Sequence, residues 1–323
     1  MTRACKCGCA RNPEPGFNRA KVVVTGPGAI GCLFGAMLAE AGHDVTLLDH
    51  KAGRARQLSA QGITIQANGS SRQILIPATT DARTIGVADI LFLCVKSYDT
   101  RAALSSAAPV IGPQTIVVSM QNGLGNGKVI ARSVAPSRIA CGVTEHGAVN
   151  LEPGLIIHAG AGKTRIAPFN PASGPIARQV AVLLRSATFD ATATKDLHGM
   201  IWSKLIINAA INPLTAILNV PNGYLLGDPA AKKTMFEAAD EAAAVAKAKG
   251  ISLMFRNTRN EVEAVCNATS KNVSSMLQDV RLHRKTEIGV INGAIVREAG
   301  IMGIAVPVNR MLVRRVMALS QLV

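Results

Sequence analysis

A short β-branched run, Lys21 to Thr25, leads directly into a glycine-rich turn and then into a helical pattern that ends at Gly42. The glycines have the G-x-G-x-x-G spacing that allows a tight turn, a close backbone approach to a pyrophosphate, and packing of the helix on the strand. The phosphates would then lie at the helix N-terminus, where free N–H groups favour anions. The unit therefore predicts a dinucleotide-binding α/β sheet, with the phosphates held by Gly26, Pro27, Gly28, Ala29, Ile30 and Gly31.

The next predicted strand, 44–48, ends at Asp49. In dinucleotide-binding sheets an acidic residue at this place accepts a hydrogen bond from the adenine ribose of NAD and repels the 2′-phosphate of NADP. The following turn nevertheless carries donors that suit this phosphate: His50, Lys51, Arg54 and Arg56. The charges alone leave both NAD(H) and NADP(H) open.

The strand pattern continues with a hairpin predicted within 63–76 and with buried strands at 89–95 and 115–119. The two buried strands lead to Lys96 and to Asn122. Open α/β sheets bind ligands at the carboxyl ends of their strands, so both side chains are candidate cofactor ligands. Without that context, Lys96 would be a solvated loop lysine and Asn122 part of an ordinary Asn-Gly turn.

The length of 323 residues exceeds what one hydrophobic core usually supports, and 48% hydrophobic residues indicate a compact chain. The net charge of +15 comes from scattered basic residues, and the 3% aromatic content argues against stacking on nucleic-acid bases. The apolar runs have strand length, short of the roughly 20 residues that a membrane span needs. We therefore expect neither a nucleic-acid nor a membrane partner, and interpret the charge as attraction for small anions.

Seven cysteines, an odd number in a long chain, do not predict a disulfide framework. Four are isolated in apolar stretches and are expected to be reduced core thiols: Cys32, Cys94, Cys141 and Cys266. The other three alternate within 1–19, which lacks both the apolar region of a secretory signal and the further ligands of a metal site. We predict a dispensable, disordered leader at 1–19, no metal, and a cytoplasmic protein.

From about residue 195 the strand signal ends and alanine-rich helical patterns follow. The predicted fold class is α/β: a Rossmann-type doubly wound N-terminal domain, 20–194, followed by an all-α C-terminal domain, 195–323. A helix is predicted over 198–219, and its polar residues Lys204, Asn208 and Asn212 fall on one face among apolar neighbours. Two amides beside a single charge favour a polar cavity over a solvent-facing stripe.

A second long helix is predicted over 271–300. Most of its polar residues suit a helix surface, but Glu287 precedes an apolar, glycine-containing stretch and is expected to lie half-buried beside a cation. The ammonium of Lys204 is one such cation. With an unperturbed pKa of about 10.4 it would be protonated at neutral pH without any shift.

Seven segments together resemble the ketopantoate reductase family over about residues 21–310. They are Gly26-x-Gly28-x-x-Gly31, Val95-Lys96, Gln121-Asn122-Gly123, Trp202-x-Lys204-x-x-x-Asn208-x-x-x-Asn212-Pro213, Asn219-x-Pro221-Asn222-Gly223, Asn272-x-Ser274-Ser275 and Thr286-Glu287-Ile288. The resemblance implies reduction of 2-dehydropantoate to (R)-pantoate with NADPH, a step of pantothenate and hence coenzyme A synthesis. It implies a small-molecule 2-keto acid as partner and allows a homodimer.

Carried over by position, the resemblance implies that Lys204 is the catalytic proton donor. The implied substrate ligands are Lys204, Asn208, Asn212, Asn222 and Ser275. The implied cofactor ligands, beside the glycine-rich turn, Asp49 and His50, are Lys96, Asn122, Ala148 and Glu287. His50 stands where the family has an arginine for the 2′-phosphate, and this departure leaves NAD(H) open beside NADP(H).

Two other functions fit the same residues. One is a related NAD(P)-dependent hydroxy acid dehydrogenase with a different substrate, since the walls of a pocket cannot be read from one sequence. The other is a cofactor-sensing protein without catalysis, against which the presence of Lys204 and Glu287 argues.

Overall fold

The computed structural model describes residues 17–319, so the predicted leader lies almost wholly outside the described part. The strands are β1 (Lys21–Thr25), β2 (Asp44–Leu48), β3 (Ile63–Ala67), β4 (Ser70–Ile74), β5 (Ala78–Thr79), β6 (Ile90–Leu93), β7 (Ile116–Ser119), β8 (Ile139–Thr144), β9 (Gly147–Glu152), β10 (Leu155–Gly160), β11 (Thr164–Pro168) and β12 (Ala191–Ala193). The α-helices are α1 (Ala29–Glu40), α2 (Ala52–Gln61), α3 (Thr100–Ala107), α4 (Asn126–Ile130), α5 (Gly174–Ser186), α6 (Leu197–Leu218), α7 (Tyr224–Gly227), α8 (Pro229–Ala248), α9 (Thr258–Ala268), α10 (Ser275–Arg281), α11 (Asn292–Ile301) and α12 (Pro307–Leu319). A mixed α/β region is thus followed by a helical region, as the sequence predicts.

The main sheet has eight strands in the order β12-β11-β8-β7-β6-β1-β2-β5. The run from β8 to β5 is parallel, and β11 pairs antiparallel with β8. From β1 the chain adds β2 and β5 on one side and β6, β7 and β8 on the other, which is the Rossmann-type doubly wound arrangement. The carboxyl ends of β1 and β6 therefore flank a topological switch point, the usual ligand position in such sheets.

A smaller sheet has the order β4-β3-β10-β9. Its β3–β4 pair is the hairpin that the sequence predicts, and β10 adds to β3 in parallel and to β9 antiparallel. Helix α1 packs between this sheet and the main one, and its residues share a core with Ile63, Ile65 and Ile156. The glycine-rich turn is thereby fixed to a helix that is buried on two sides.

Helix α6 is the centre of the helical region, where α8, α10 and α12 pack around it. Its bounds match the predicted helix 198–219 closely. Among the described residues it is the one helix long and apolar enough to cross a membrane, and 72% of its apolar window is buried inside the protein. That burial is typical of the core helix of a globular protein.

The single long helix predicted over 271–300 is wrong. Helix α10 ends at Arg281, and α11 begins only at Asn292. His283 takes a left-handed conformation with φ of +51°, which stops the helix. The intervening segment, 282–291, instead follows the tips of the main sheet, where the Leu124 amide donates to the Val290 carbonyl at 3.0 Å.

The four cysteines of the described part are free thiols, as predicted: Cys32, Cys94, Cys141 and Cys266. Burial raises the pKa of the first three to about 12 and that of Cys266 to about 11. They are therefore protonated core residues at neutral pH.

Candidate active site

The glycine-rich turn joins the end of β1 to the start of α1. Gly26 has φ of +83°, and a Cβ there would come within 2.6 Å of Val95 Cγ1. A Cβ at Gly31 would overlap the Gly26 carbonyl oxygen, whereas one at Gly28 would meet nothing within 4 Å. Helix α1 begins without a side-chain cap, so its first N–H groups are left for an outside partner. A pyrophosphate fits this open backbone. Of the other residues of the turn, Pro27 is buried and Ala29 and Ile30 are half-buried.

At the end of β2 the side chain of Asp49 is fully buried and already has partners. Its oxygens accept from Nε and Nη2 of Arg54, the latter at 2.6 Å, and from the Lys51 amide at 3.1 Å. Burial alone would raise the pKa of Asp49, but these hydrogen bonds hold it below its usual value. His50 lies beside the pair, 68% exposed. The sequence predicted that the Asp49 carboxylate accepts a hydrogen bond from a ribose hydroxyl. In the structure, both of its oxygens instead accept hydrogen bonds from Arg54.

Lys96 and Glu287 meet where the main sheet faces the helical region. The Ser97 amide donates to Glu287 Oε1 at 3.0 Å, and Lys96 Nζ lies 3.7 Å from Glu287 Oε2. Glu287 is 6% exposed: it lies beside a cation as predicted, but it is buried and not half-buried. That cation is Lys96 and not Lys204, because the non-helical segment 282–291 runs along the strand tips.

Asp279 is a site residue to which the sequence analysis assigned no role. It is 4% exposed, and its Oδ2 accepts from Lys96 Nζ at 2.5 Å. Burial raises the pKa of Asp279, although Lys96 opposes the shift. One sequence feature could have indicated the burial of Asp279. It lies three residues after Met276, and Met276 and Val280 have the i, i+4 spacing of a helix face that packs on a core.

A cavity of about 360 Å³ lies between the carboxyl end of β7 and helix α6. It brings together Lys204, Asn208 and Asn122, which come from distant parts of the sequence. Asn208 Nδ2 donates to Asn122 Oδ1 across the cavity at 3.4 Å. Two of the three residues in the predicted polar stripe of α6, Lys204 and Asn208, thus line a cavity, whereas Asn212 does not.

Burial lowers the pKa of Lys204, an effect that nearby Glu145 opposes and Arg165 reinforces. Glu145 directly follows β8, Arg165 lies in β11, and their side chains form an ion pair at 2.5 Å. Both strands contact α6. The sequence predicted an unshifted lysine, because neither these neighbours nor the depth of the cavity can be read from the α6 segment alone.

Two further predicted residues, Asn212 and Asn222, are buried but do not line this cavity. Asn212 lies one turn beyond Asn208 on α6. Asn222 follows α6 and donates from Nδ2 to Thr269 Oγ1 at 2.9 Å. Its buried Oδ1 accepts no hydrogen bond within the part of the chain that the structure describes.

Ser275 and Ala148 complete the predicted set. Ser275 is exposed in the first turn of α10, whereas its neighbour Ser274 is buried and caps that helix by accepting from the Leu277 amide at 3.1 Å. Ser274 also accepts from Thr215 Oγ1 at 2.7 Å, which ties α10 to α6. Ala148 lies in β9, half-buried against the core of the N-terminal sheets.

The site combines a backbone cradle for phosphates, one half-buried ammonium, and amides that can orient oxygens without adding charge. Within residues 17–319 no group of three His, Cys, Asp or Glu side chains could hold a metal ion. Such a site can bind an anionic dinucleotide and donate a proton to a small polar substrate.

This fold and this site define a nicotinamide-dependent oxidoreductase. The family model described as ketopantoate reductase PanE/ApbA matches residues 22–171, and the model of its C-terminal part matches residues 196–320. The chain belongs to the ketopantoate reductase family.

Proteins called 2-dehydropantoate 2-reductase are similar to nearly the whole chain. The one from Halobacterium salinarum is 36% identical over 296 residues, 90% of this chain and 96% of its own. The one from Vibrio cholerae is 35% identical over 300 residues, 93% of this chain and 98% of its own.

Two solved structures show the same fold along almost their full length. A PanE/ApbA family ketopantoate reductase from Ralstonia eutropha has a TM-score of 0.84 at 29% identity and covers 93% of this chain and 98% of its own. A D-mandelate dehydrogenase, solved with NADH and anilino(oxo)acetate, has a TM-score of 0.87 at 28% identity with the same coverage.

Proposed function

We propose that this protein reduces 2-dehydropantoate to (R)-pantoate with NADPH, in the synthesis of pantothenate and coenzyme A. The observation that carries the proposal is the cavity in which Lys204, Asn208 and Asn122 meet at the carboxyl end of β7. Membership of the ketopantoate reductase family and the relatives named for this reaction support it.

Lys204 is the proton donor of the proposed mechanism. When bound, the reduced nicotinamide supplies a hydride to the keto carbon of the substrate. The ammonium of Lys204 stabilises the negative charge that grows on the carbonyl oxygen and then donates a proton from Nζ to it. Because burial lowers its pKa, this ammonium is a stronger acid than one in water. The neutral amine then regains a proton from solvent.

The amides and Ser275 orient the substrate in this proposal. Asn208 and Asn212 offer donors to its oxygens from successive turns of α6, and Ser275 offers a hydroxyl. Asn222 has a buried Oδ1 that lacks a donor among the described residues. The hydroxyl group of 2-dehydropantoate is a donor of the kind that this oxygen lacks, although Asn222 does not line the cavity that holds Lys204.

The proposed cofactor site begins at the turn 26–31 and continues along the strand tips to Lys96, Asn122, Ala148 and Glu287. Asp279 acts there as a positioning residue, because it holds the ammonium of Lys96. The net charge of +15 attracts both the anionic cofactor and the anionic keto acid. We place the reaction in the cytoplasm, with no nucleic-acid or membrane partner.

Steady-state kinetics with the purified full chain test the proposal. The panel pairs NADPH and NADH with 2-dehydropantoate, other branched 2-keto acids and the keto acid of mandelate. We expect kcat/KM for 2-dehydropantoate to exceed that for the other acids by about 100-fold, because hydroxyl-binding groups reject substrates that lack the hydroxyl.

A second candidate function is a 2-hydroxy acid dehydrogenase of the mandelate type, favoured by the TM-score of 0.87 to the D-mandelate dehydrogenase. Preference for the aromatic keto acid would establish this function instead. If the protein binds the cofactor but reduces no keto acid, both functions are wrong and a cofactor sensor remains.

A further inference from the structure

The end of β2 and the first turn of α2 form a compact ionic cluster. The side chain of Asp49 has no exposed surface, whereas Arg54 keeps 23%. One carboxylate oxygen accepts from Arg54 Nε, and the other accepts from Arg54 Nη2 at 2.6 Å and from the Lys51 amide at 3.1 Å. Each carboxylate oxygen therefore has at least one donor, and the side chain is shielded from solvent.

Arg54 still has donors to offer. A guanidinium carries five N–H bonds in a planar fork, and the pair with Asp49 uses the one on Nε and one on Nη2. The remaining hydrogens, on Nη1 and Nη2, form the edge that binds phosphate in a bidentate manner. Because Asp49 already fixes the side chain, little conformational freedom is lost when this edge binds an anion.

The cluster stands beside the glycine-rich turn. The Gly26 amide donates to the carbonyl of Leu48, directly before Asp49, at 3.3 Å. Cys32, directly after Gly31, lies within electrostatic reach of both Asp49 and Arg54. In this fold, the end of β2 is where the adenosine ribose of a dinucleotide lies.

We infer that Arg54, held in place by Asp49, binds the 2′-phosphate of NADPH and sets the cofactor preference. The inference deepens the proposed function and rests on it for the identity of the cofactor. Asp49 is then a positioning residue and not a repelling one, because Arg54 neutralises its charge and covers both of its oxygens. Arg54 thus takes the place of the family's arginine that His50 leaves vacant.

Calorimetric titration of the full chain with two probes tests the inference without turnover. Adenosine 2′,5′-bisphosphate carries the 2′-phosphate, and adenosine 5′-monophosphate lacks it. We expect the bisphosphate to bind about 10- to 100-fold more tightly, the range of a charge-assisted bidentate contact. Arg54→Gln should reduce that preference to below about 3-fold and change the affinity for the monophosphate by no more than about 3-fold.

Asp49→Asn distinguishes positioning from repulsion, because the two roles predict opposite signs. If Asp49 positions Arg54, affinity for the bisphosphate falls roughly 3- to 10-fold although the site becomes more positive. If Asp49 repels phosphate, that affinity rises and the inference is wrong. The double variant Asp49→Asn/Arg54→Gln keeps the wild-type net charge, so its expected loss of preference excludes a purely general charge effect.

Arg56→Gln is the matched control, since Arg56 is exposed on the same helix and has no carboxylate partner among residues 17–319. It should lower both affinities by no more than about 3-fold. If Asp49→Asn does not fold, Arg54→Lys decides, because it keeps the charge but cannot span carboxylate and phosphate together. Equal binding of both probes to the wild type, or a preference that survives Arg54→Gln, would overturn the inference. In that case, turnover of 2-dehydropantoate with NADH would still support the proposed reaction.

Discussion

The glycine-rich turn and the Lys204 cavity offer different kinds of groups to a ligand. The turn would bind through its backbone, within one continuous strand, turn and helix, and its geometry depends on the absence of side chains at Gly26 and Gly31. The cavity would bind through side chains that come from distant parts of the chain, Asn122 after β7 and Lys204 and Asn208 on α6. Changes at the turn should therefore act on the fold and on cofactor affinity, and changes at the cavity on the chemical step.

The largest effect is expected at Lys204. Lys204→Ala removes the proton donor and should lower kcat by about 10² to 10⁴, the usual worth of a positioned acid. Cofactor affinity should stay within a few-fold, because Lys204 does not lie at the turn. Pre-steady-state and steady-state kinetics of the purified variant measure both quantities.

Lys195→Ala is the control. Lys195 is exposed two residues before α6, and its substitution removes the same charge as Lys204→Ala. It should behave as the wild type. Near-normal turnover in folded Lys204→Ala would mean that the cavity is not the reaction centre.

At the turn, Gly31→Ala and Gly28→Ala should separate folding from binding. A Cβ at Gly31 would overlap the Gly26 carbonyl and lie 3.2 Å from Cys94 Cβ, so the variant should lose roughly 2–4 kcal/mol of stability. A Cβ at Gly28 meets no protein atom within 4 Å, so that variant should fold normally and lose cofactor affinity. Thermal melts and cofactor titration give the two readouts. Equal melting temperatures for both variants would contradict this division.

The same contrast explains what sequence reasoning could reach. Strand β2 was predicted with its observed bounds. The glycine-rich turn and the polar face of α6 were also predicted, because each follows from a local pattern of a few residues. The break at 282–291 was not, because the segment is held by contacts with the distant strand tips. Lys96 shows both sides: its place after β6 was predictable, but its ion pair with Asp279, 183 residues away, was not.

The pH dependence of kcat tests the surroundings of Lys204. The donor must be protonated, and burial lowers its pKa. The decline of kcat with rising pH should therefore occur at a pH below the usual lysine pKa of 10.5. Glu145→Gln removes an influence that raises this pKa, so the alkaline limb should move to lower pH. Arg165→Gln removes the opposite influence and should move the limb to higher pH. A shift of both variants in the same direction would show that the ion pair acts on folding and not on the lysine.

The smallest effects are expected at the adjacent serines that begin α10. Ser274→Ala loses the cap on Leu277 and the hydrogen bond from Thr215, so it should cost about 1–2 kcal/mol of stability and leave KM for the keto acid nearly unchanged. Ser275→Ala touches only an exposed hydroxyl, so its melting temperature should equal that of the wild type. If Ser275 binds the carboxylate end of the substrate as proposed, its loss should raise KM by roughly 3- to 10-fold, the worth of one hydrogen bond to a charged group. The two residues are neighbours on one turn. A KM effect in Ser274→Ala without one in Ser275→Ala would therefore show that Ser274, and not Ser275, contacts the substrate.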